Sequence, residues 1–370
     1  MENKEKNNNG IEKLIRPDLA GFAGYAASTS PDVLEKETLV AAGRIVKLDA
    51  NENPYGCSPR VNSALASFRD FSVYPDAKQT QLRKLLADYT GVSAANIVAS
   101  AGSDQLIDLI MRLFVAPGDE VVSCVPTFAM FRFFTDLIGG KPVEVPRGED
   151  FAVNVEAVLK AITPQTKLIL LATPNNPTGT VTPREDILKI IDSGVPVLVD
   201  EAYYEFTGQT VAPLVGKCPN LMVLRTFSKW AGLAGLRIGY GLFPRRIAEY
   251  LMAIKEPYCI NAAAMLAVQE TMRDTEYLLV NVRKIIAERG RLFKLLGEFS
   301  WLKPYPSQAN FILCTVSGER AKQLQHLLED RGILVRYFDK PFLKDCIRIS
   351  VGRPEDSDIL VKALQEIGGR

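Results

Sequence analysis

Lys229 stands in the stretch RTFSKWAGLAGLRIGY, residues 225–240, between a hydroxyl-bearing turn and a run of Gly, Ala and Leu. A surface lysine normally keeps company with other charges, and burying an ammonium is costly unless something compensates. Lys229 therefore snorkels to water, pairs with an acid, or is uncharged because it is bound to something. Asp200 poses the complementary problem. It ends the apolar run in VPVLVDEAYYEF, so its carboxylate is held near a buried side and needs a cation or an N–H partner. A structural salt bridge would satisfy it, and a protonated ring nitrogen would satisfy it equally well.

Other polar residues follow apolar runs in the same way. Gly102, Ser103 and Asp104 open a helix after NIVAS, a turn that suits a phosphate but also reads as an ordinary capped helix start. Phe128, after EVVSC, is either a flat face for a ring or a core aromatic. In PNNPTG the prolines and the glycine enforce a turn, and Asn175 or Asn176 would aim an amide into a cleft. Thr226, Ser228 and Arg237 flank Lys229 with two hydroxyls and a guanidinium, a second set of phosphate donors.

In an open α/β sheet, ligands bind beyond the carboxyl ends of the strands, so these residues converge on one rim. As a set they ask for a flat ligand with a basic ring nitrogen, a hydroxyl, an aldehyde and a phosphate. Pyridoxal phosphate carries all four, and a lysine bound as a Schiff base tolerates a half-buried site. Competing chemistries lack their residues. The single histidine, His326 in QLQHLLED, reads as a surface helix residue, and no triad or multi-histidine metal motif surrounds it. Neither the dinucleotide fingerprint nor the triphosphate loop occurs.

The elements that must place these groups alternate along the chain. Strand candidates are 96–100, 120–124, 141–146, 167–173, 195–203, 222–227 and 237–243, mostly separated by helical segments such as SDQLIDLIMRLF and PREDILKIIDSG. Uniformly apolar strands alternating with helices predict an α/β domain with a mostly parallel seven-stranded sheet covered on both faces. Long helical patterning over 262–298 and the runs ANFILCTV, GILVRYF and CIRISVG predict a smaller C-terminal α+β domain, with a ligand cleft between the two. The expected division is a tail and arm over 1–47, a large domain over 48–270 and a small domain over 271–370.

Bulk properties narrow the classes further. The 370 residues carry 44 Lys and Arg against 43 Asp and Glu, a net charge of +1 that offers no field for nucleic acid or an anionic membrane. No apolar run is long enough for a transmembrane helix. The polar start MENKEKNNNG lacks the apolar centre of a signal peptide and reads as a tail. Six scattered cysteines without a C-x-x-C pair read as free thiols of a reducing cytoplasm.

TPNNPTG, VDEAY and RTFSKWAGLAGLRIGY, in that order and spacing, resemble the fold-type-I pyridoxal-phosphate aminotransferases. LDANENPYGCSP near the front and IRISVG near the end are similar to the histidinol-phosphate aminotransferase branch, and the resemblance spans roughly residues 45–355. It implies that Lys229 forms the internal aldimine and moves the proton between substrate Cα and cofactor C4′. Asp200 would keep the pyridine nitrogen protonated, Tyr203 and Asn176 would bond the ring hydroxyl, and Phe128 would stack on the ring where many relatives have tyrosine. Gly102, Ser103, Asp104, Thr226, Ser228 and Arg237 would hold the phosphate. Tyr55 would reach the cofactor phosphate of a neighbouring subunit, making a homodimer part of the site. Asn53 would lie close to the substrate, and Tyr25 in the arm would contact its phosphate.

Arg348, with Arg336 as partner, would grip the phosphate of histidinol phosphate and then the carboxylate of glutamate. The implied reaction is transamination of L-histidinol phosphate with 2-oxoglutarate to imidazole-acetol phosphate and L-glutamate. Rivals on the same scaffold are a threonine-phosphate decarboxylase-like lyase and an aromatic amino-acid aminotransferase. A cofactor-binding regulator is a further rival, but no helix-turn-helix domain flanks the core.

Overall fold

The computed structural model describes residues 10–22, 24 and 45–368; Tyr25 and most of the expected arm lie outside them. Strand β1 (Val46–Leu48) comes first. Seven strands then build one sheet: β2 (Ile97–Ser100), β3 (Glu120–Val125), β4 (Lys141–Pro146), β5 (Thr166–Ala172), β6 (Val197–Asp200), β7 (Leu221–Thr226) and β8 (Gly239–Leu242). Their spatial order is β2-β8-β7-β6-β5-β3-β4. The neighbours from β4 through β7 run parallel, and β8 alone is antiparallel to both its partners. All seven sequence-predicted strands are present in a mostly parallel sheet.

The sheet lies between two apolar layers because successive residues of its central strands point to opposite faces. Val197 and Val199 enter one cluster with Ile169, Leu171, Leu221 and Val223. Leu198 enters the other with Leu168, Leu170, Met222 and Leu224, against the helix Ser103–Phe114. That helix buries Leu106, Ile107, Leu109, Ile110 and Met111, an apolar stripe at helical spacing.

The second sheet holds β9 (Leu302–Pro304), β10 (Phe311–Val316), β11 (Ile333–Tyr337) and β12 (Cys346–Ser350), in the order β1-β11-β12-β10-β9. The N-terminal strand β1 is thus built into the small sheet, parallel to β11. The helical stretch expected over 262–298 is two helices, Ala262–Arg273 and Thr275–Leu296, which meet at Asp274. His326 lies in the helix Ala321–Glu329, its side chain 60% exposed.

Several strand ends are shorter than expected, and two of these differences shape the rim. β6 stops at Asp200 rather than 203, releasing Tyr203 to a bend. β8 begins at Gly239 rather than 237, because Arg237 takes a left-handed conformation with φ 50°.

Behind β6 and β7 lies a buried ion pair. Arg225 and Glu201 are 3% and 1% exposed, 2.9 Å apart, with Thr210 bonded to both. The Arg225 guanidinium lies 3.6 Å from the Tyr204 ring centroid. Removing one partner of such a pair strands a buried charge, so Arg225→Met is expected to cost about 3–5 kcal/mol. A lowered urea midpoint would register this, and Glu201→Gln combined with Arg225→Met should recover part of the loss.

Candidate active site

Strand register creates the first half of the site. Gly239 pairs with Ser100 on one side and Thr226 on the other, so it sits between the ends of β2 and β7. A Cβ at Gly239 would lie 2.5 Å from the Ser103 backbone nitrogen, so only glycine lets the helix start come this close. Gly102, with φ 82°, is the N-cap of that helix, and its own Cβ would meet the Arg237 guanidinium at 2.7 Å. Neither Ser103 nor Asp104 caps the helix; Ser103 is its first residue, and no side chain caps it. Asp104 instead receives a 3.0 Å hydrogen bond from Arg237. Across the same rim, Thr226 donates to Ser228 Oγ at 3.0 Å and accepts from its backbone N–H. Uncapped helix N–H groups, two buried hydroxyls and a guanidinium form an anion cup.

Beside the cup, β6 delivers Asp200. Its carboxylate is 5% exposed and accepts a 3.0 Å hydrogen bond from Ala202 N–H. Burial pushes it up to about 7 from its ordinary value of 3.8, against the pull of the Ala202 N–H. Lys229 Nζ donates to the Ala50 carbonyl at 3.1 Å. Burial, reinforced by the nearby Arg348 charge, lowers it to about 8. The two groups are not an ion pair among the described residues. Phe128 precedes the helix Ala129–Leu137 and meets Phe131 edge-on at 5.8 Å.

The other half comes from the small sheet. Arg336 and Arg348 are direct cross-strand partners on β11 and β12. Like charges placed opposite one another are unfavourable unless they share an anion. Arg348 is 6% exposed; it donates to Asn176 Oδ1 at 2.7 Å and to the Asp49 carbonyl. Phe338 lies within 5.8 Å of both guanidiniums. Of the two asparagines in PNNPTG, Asn175 is buried and bonds Thr127, Thr178 and the Pro126 carbonyl, whereas Asn176 faces Arg348.

The segment 49–56 joins the halves. Asn53 bonds the Trp230 carbonyl at 2.8 Å and accepts from Tyr55 N–H, so both ends of its amide hold the loop beside Lys229. The Tyr55 ring lies between Lys284 and Arg353, 5.1 and 5.5 Å from their charged groups. Residues that sequence reasoning missed are Asn51, which donates to Tyr203 Oη at 2.9 Å, with Ser350 and Asn310 behind it. The only sequence signal for Asn51 is its place in the polar run NENP, because long-range partners leave no local pattern.

The family model for aminotransferases of class I and II matches residues 43–364. The chain belongs to that family. It is 57% identical to the histidinol-phosphate aminotransferase of Dehalococcoides mccartyi (strain CBDB1), covering 97% of this chain and 99% of the relative. It is 46% identical to that of Roseiflexus castenholzii, covering 96% and 99%. The crystal structure of the Sinorhizobium meliloti histidinol-phosphate aminotransferase in complex with pyridoxal-5'-phosphate matches with a TM-score of 0.87 at 29% identity, covering 95% and 97%.

The rim of this aminotransferase fits pyridoxal phosphate on its own chemistry. A buried carboxylate that meets a single N–H donor among the described residues wants a cationic ring N–H, and the uncapped helix wants a phosphate. Without that partner Asp200 has a pH signature. The folded cofactor-free protein keeps a proton there between pH of about 4 and 7 that the unfolded chain has lost. The group's stabilisation is therefore present below its unfolded pKa and lost as pH rises through about 7. Cofactor-free Asp200→Asn is expected to be more stable than the wild type at pH 8 and to show a flatter stability profile, read from denaturant midpoints at pH 5 and 8.

Proposed function

We propose that this aminotransferase interconverts L-histidinol phosphate and 2-oxoglutarate with imidazole-acetol phosphate and L-glutamate, a step of histidine biosynthesis. The observation that carries the reading is the cross-strand opposition of Arg336 and Arg348, two guanidiniums that together suit a doubly charged phosphate. Curated relatives of that activity at up to 57% identity support it over decarboxylation or a preference for aromatic amino acids.

Pyridoxal phosphate, when bound, supplies an aldehyde and an electron-accepting ring. The chain's own residues do the rest. The Ser103 N–H, Thr226, Ser228 and Arg237 bind the phosphate, with Asp104 aiming Arg237 and Gly102 leaving it room. Asp200 would hold a proton on the ring nitrogen, and Phe128 would pack against one ring face. Tyr203 and Asn176 address the ring hydroxyl. Lys229, with its pKa near 8, offers a neutral amine to the aldehyde at a far larger fraction than a free lysine. The same amine would take the proton from the substrate Cα. Arg348 and Arg336 hold the substrate phosphate in one half-reaction and glutamate's carboxylate in the other. Buried, the guanidinium also repels the ammonium form of Lys229, so substrate-anion binding and lysine protonation are coupled.

The reading extends to a homodimer in which Tyr55 reaches the partner's cofactor phosphate, with Asn53 keeping its loop in place and Tyr25 of the arm contacting the substrate phosphate. The two sheets support a large lobe over 48–270 and a small lobe over 271–370, to which β1 adds a strand. Six free thiols support a cytoplasmic setting.

Adding substrates singly to the purified yellow protein tests the reaction. Histidinol phosphate should discharge the lysine-bound absorbance band and 2-oxoglutarate should restore it. A band that responds only to aromatic amino acids, or to threonine phosphate with carbon dioxide release, would reassign the activity. Lys229→Ala is expected to have no measurable turnover. Arg348→Ala should weaken both histidinol phosphate and glutamate, each by roughly 10- to 100-fold in kcat/KM, the worth of one or two charged hydrogen bonds.

A further inference from the structure

Three consecutive residues each hold one group of the site. The Asp49 carbonyl accepts from Arg348, the Ala50 carbonyl accepts from Lys229, and the Asn51 amide donates to Tyr203. Asn51 is the most constrained of the three. It is 1% exposed and takes a left-handed conformation, φ 55°. Its N–H donates to Ser350 Oγ at 2.8 Å, and its carbonyl accepts from Asn310 Nδ2 at 2.9 Å. Ser350 returns its single proton to Asn51 Oδ1 at 3.0 Å.

These bonds set a direction for protons. Ser350 Oγ accepts the Asn51 N–H and donates its one proton to Oδ1, which places Oδ1 on the Ser350 side of the amide. Nδ2 must then point the other way, to Tyr203 Oη at 2.9 Å. Tyr203 is the acceptor in that contact, so its own proton is directed to a different acceptor. An asparagine oriented by the small lobe thereby decides that a tyrosine on the large lobe acts as a hydrogen-bond donor.

We propose that Asn51 is a positioning residue that keeps Tyr203 a donor toward the cofactor's ring oxygen and ties its orientation to the small lobe through Ser350 and Asn310. This rests on the assignment of Tyr203 to the ring hydroxyl made above. A Tyr203 donor stabilises the ring oxygen as an anion and holds down the pKa of the lysine-bound cofactor.

Two variants separate the amide from the backbone. Asn51→Gly accepts the left-handed backbone and removes only the side chain. Asn51→Asp keeps an acceptor for Ser350 and replaces the donor to Tyr203 with an acceptor, which turns the tyrosine's proton inward. Both are expected to raise the pH midpoint of the bound cofactor's absorbance band by about one unit. Both should also weaken reloading of the cofactor onto the stripped protein about tenfold, the loss of one hydrogen bond to a charged group. Tyr203→Phe should produce the same shifts, and adding Asn51→Asp to Tyr203→Phe should change little more. If the wild type shows the band and both variants titrate and reload as it does, the proposal is wrong and the cofactor assignment stands. Full additivity of Asn51→Asp with Tyr203→Phe overturns it too. A wild type without any band overturns the cofactor assignment and this proposal with it.

Discussion

A carboxylate at the end of an apolar strand, bonded to the Ala202 backbone N–H, is the constraint around which this molecule is arranged. Asp200 is carried there because β6 is buried on both faces, and its neighbours Val197, Leu198 and Val199 are each 0% exposed. A cation placed permanently beside it would remove that burial cost. The chain keeps its lysine apart from that carboxylate. Lys229 is turned to the Ala50 carbonyl, and the charge nearest to it in effect is Arg348, which disfavours the ammonium. Two groups of opposite sign are thus each shifted toward neutrality within one rim, and both shifts share one cause, the exclusion of water.

The opposite face of the same strands settles its charges differently. Glu201 follows Asp200 and Arg225 precedes Thr226, and these two neighbours form the buried pair with Thr210 and the Tyr204 ring. The pair staples β6 to β7 one residue behind the groups that face the rim. Polar groups are thus satisfied on one side of these strand ends and under-satisfied on the other.

Close approach depends on missing atoms as much as on contacts. Gly239 admits the start of the helix Ser103–Phe114 to the end of β7, and Gly102 admits Arg237. Gly232 plays the same part for the loop that joins the lobes. A Cβ there would lie 2.4 Å from the Gly56 carbonyl carbon, so the turn after Lys229 and the segment 49–56 meet backbone to backbone. This seam holds segment 49–56 beside Lys229, while the small sheet reaches the same rim through Arg348, 2.7 Å from Asn176.

Hydrophobic periodicity made the seven strands readable, because burial on both faces leaves uninterrupted apolar runs. Residues at strand ends, such as Asp200, Asn176 and Lys229, were legible for the same reason, since a polar residue terminating such a run must be accounted for. Strand order was not legible, and neither was the antiparallel placing of β8 between β2 and β7, which brings Ser103 to Thr226. The choice of Asn176 over Asn175, the opposition of Arg336 and Arg348, and the role of Asn51 also emerged only in three dimensions. Each depends on partners far along the chain: 172 residues separate Arg348 from Asn176, and 299 separate Asn51 from Ser350. Local sequence dictates which residues are costly to bury, because that cost belongs to the side chain alone. Who relieves the cost is a matter of long-range register and loop contact, which no short window of residues contains.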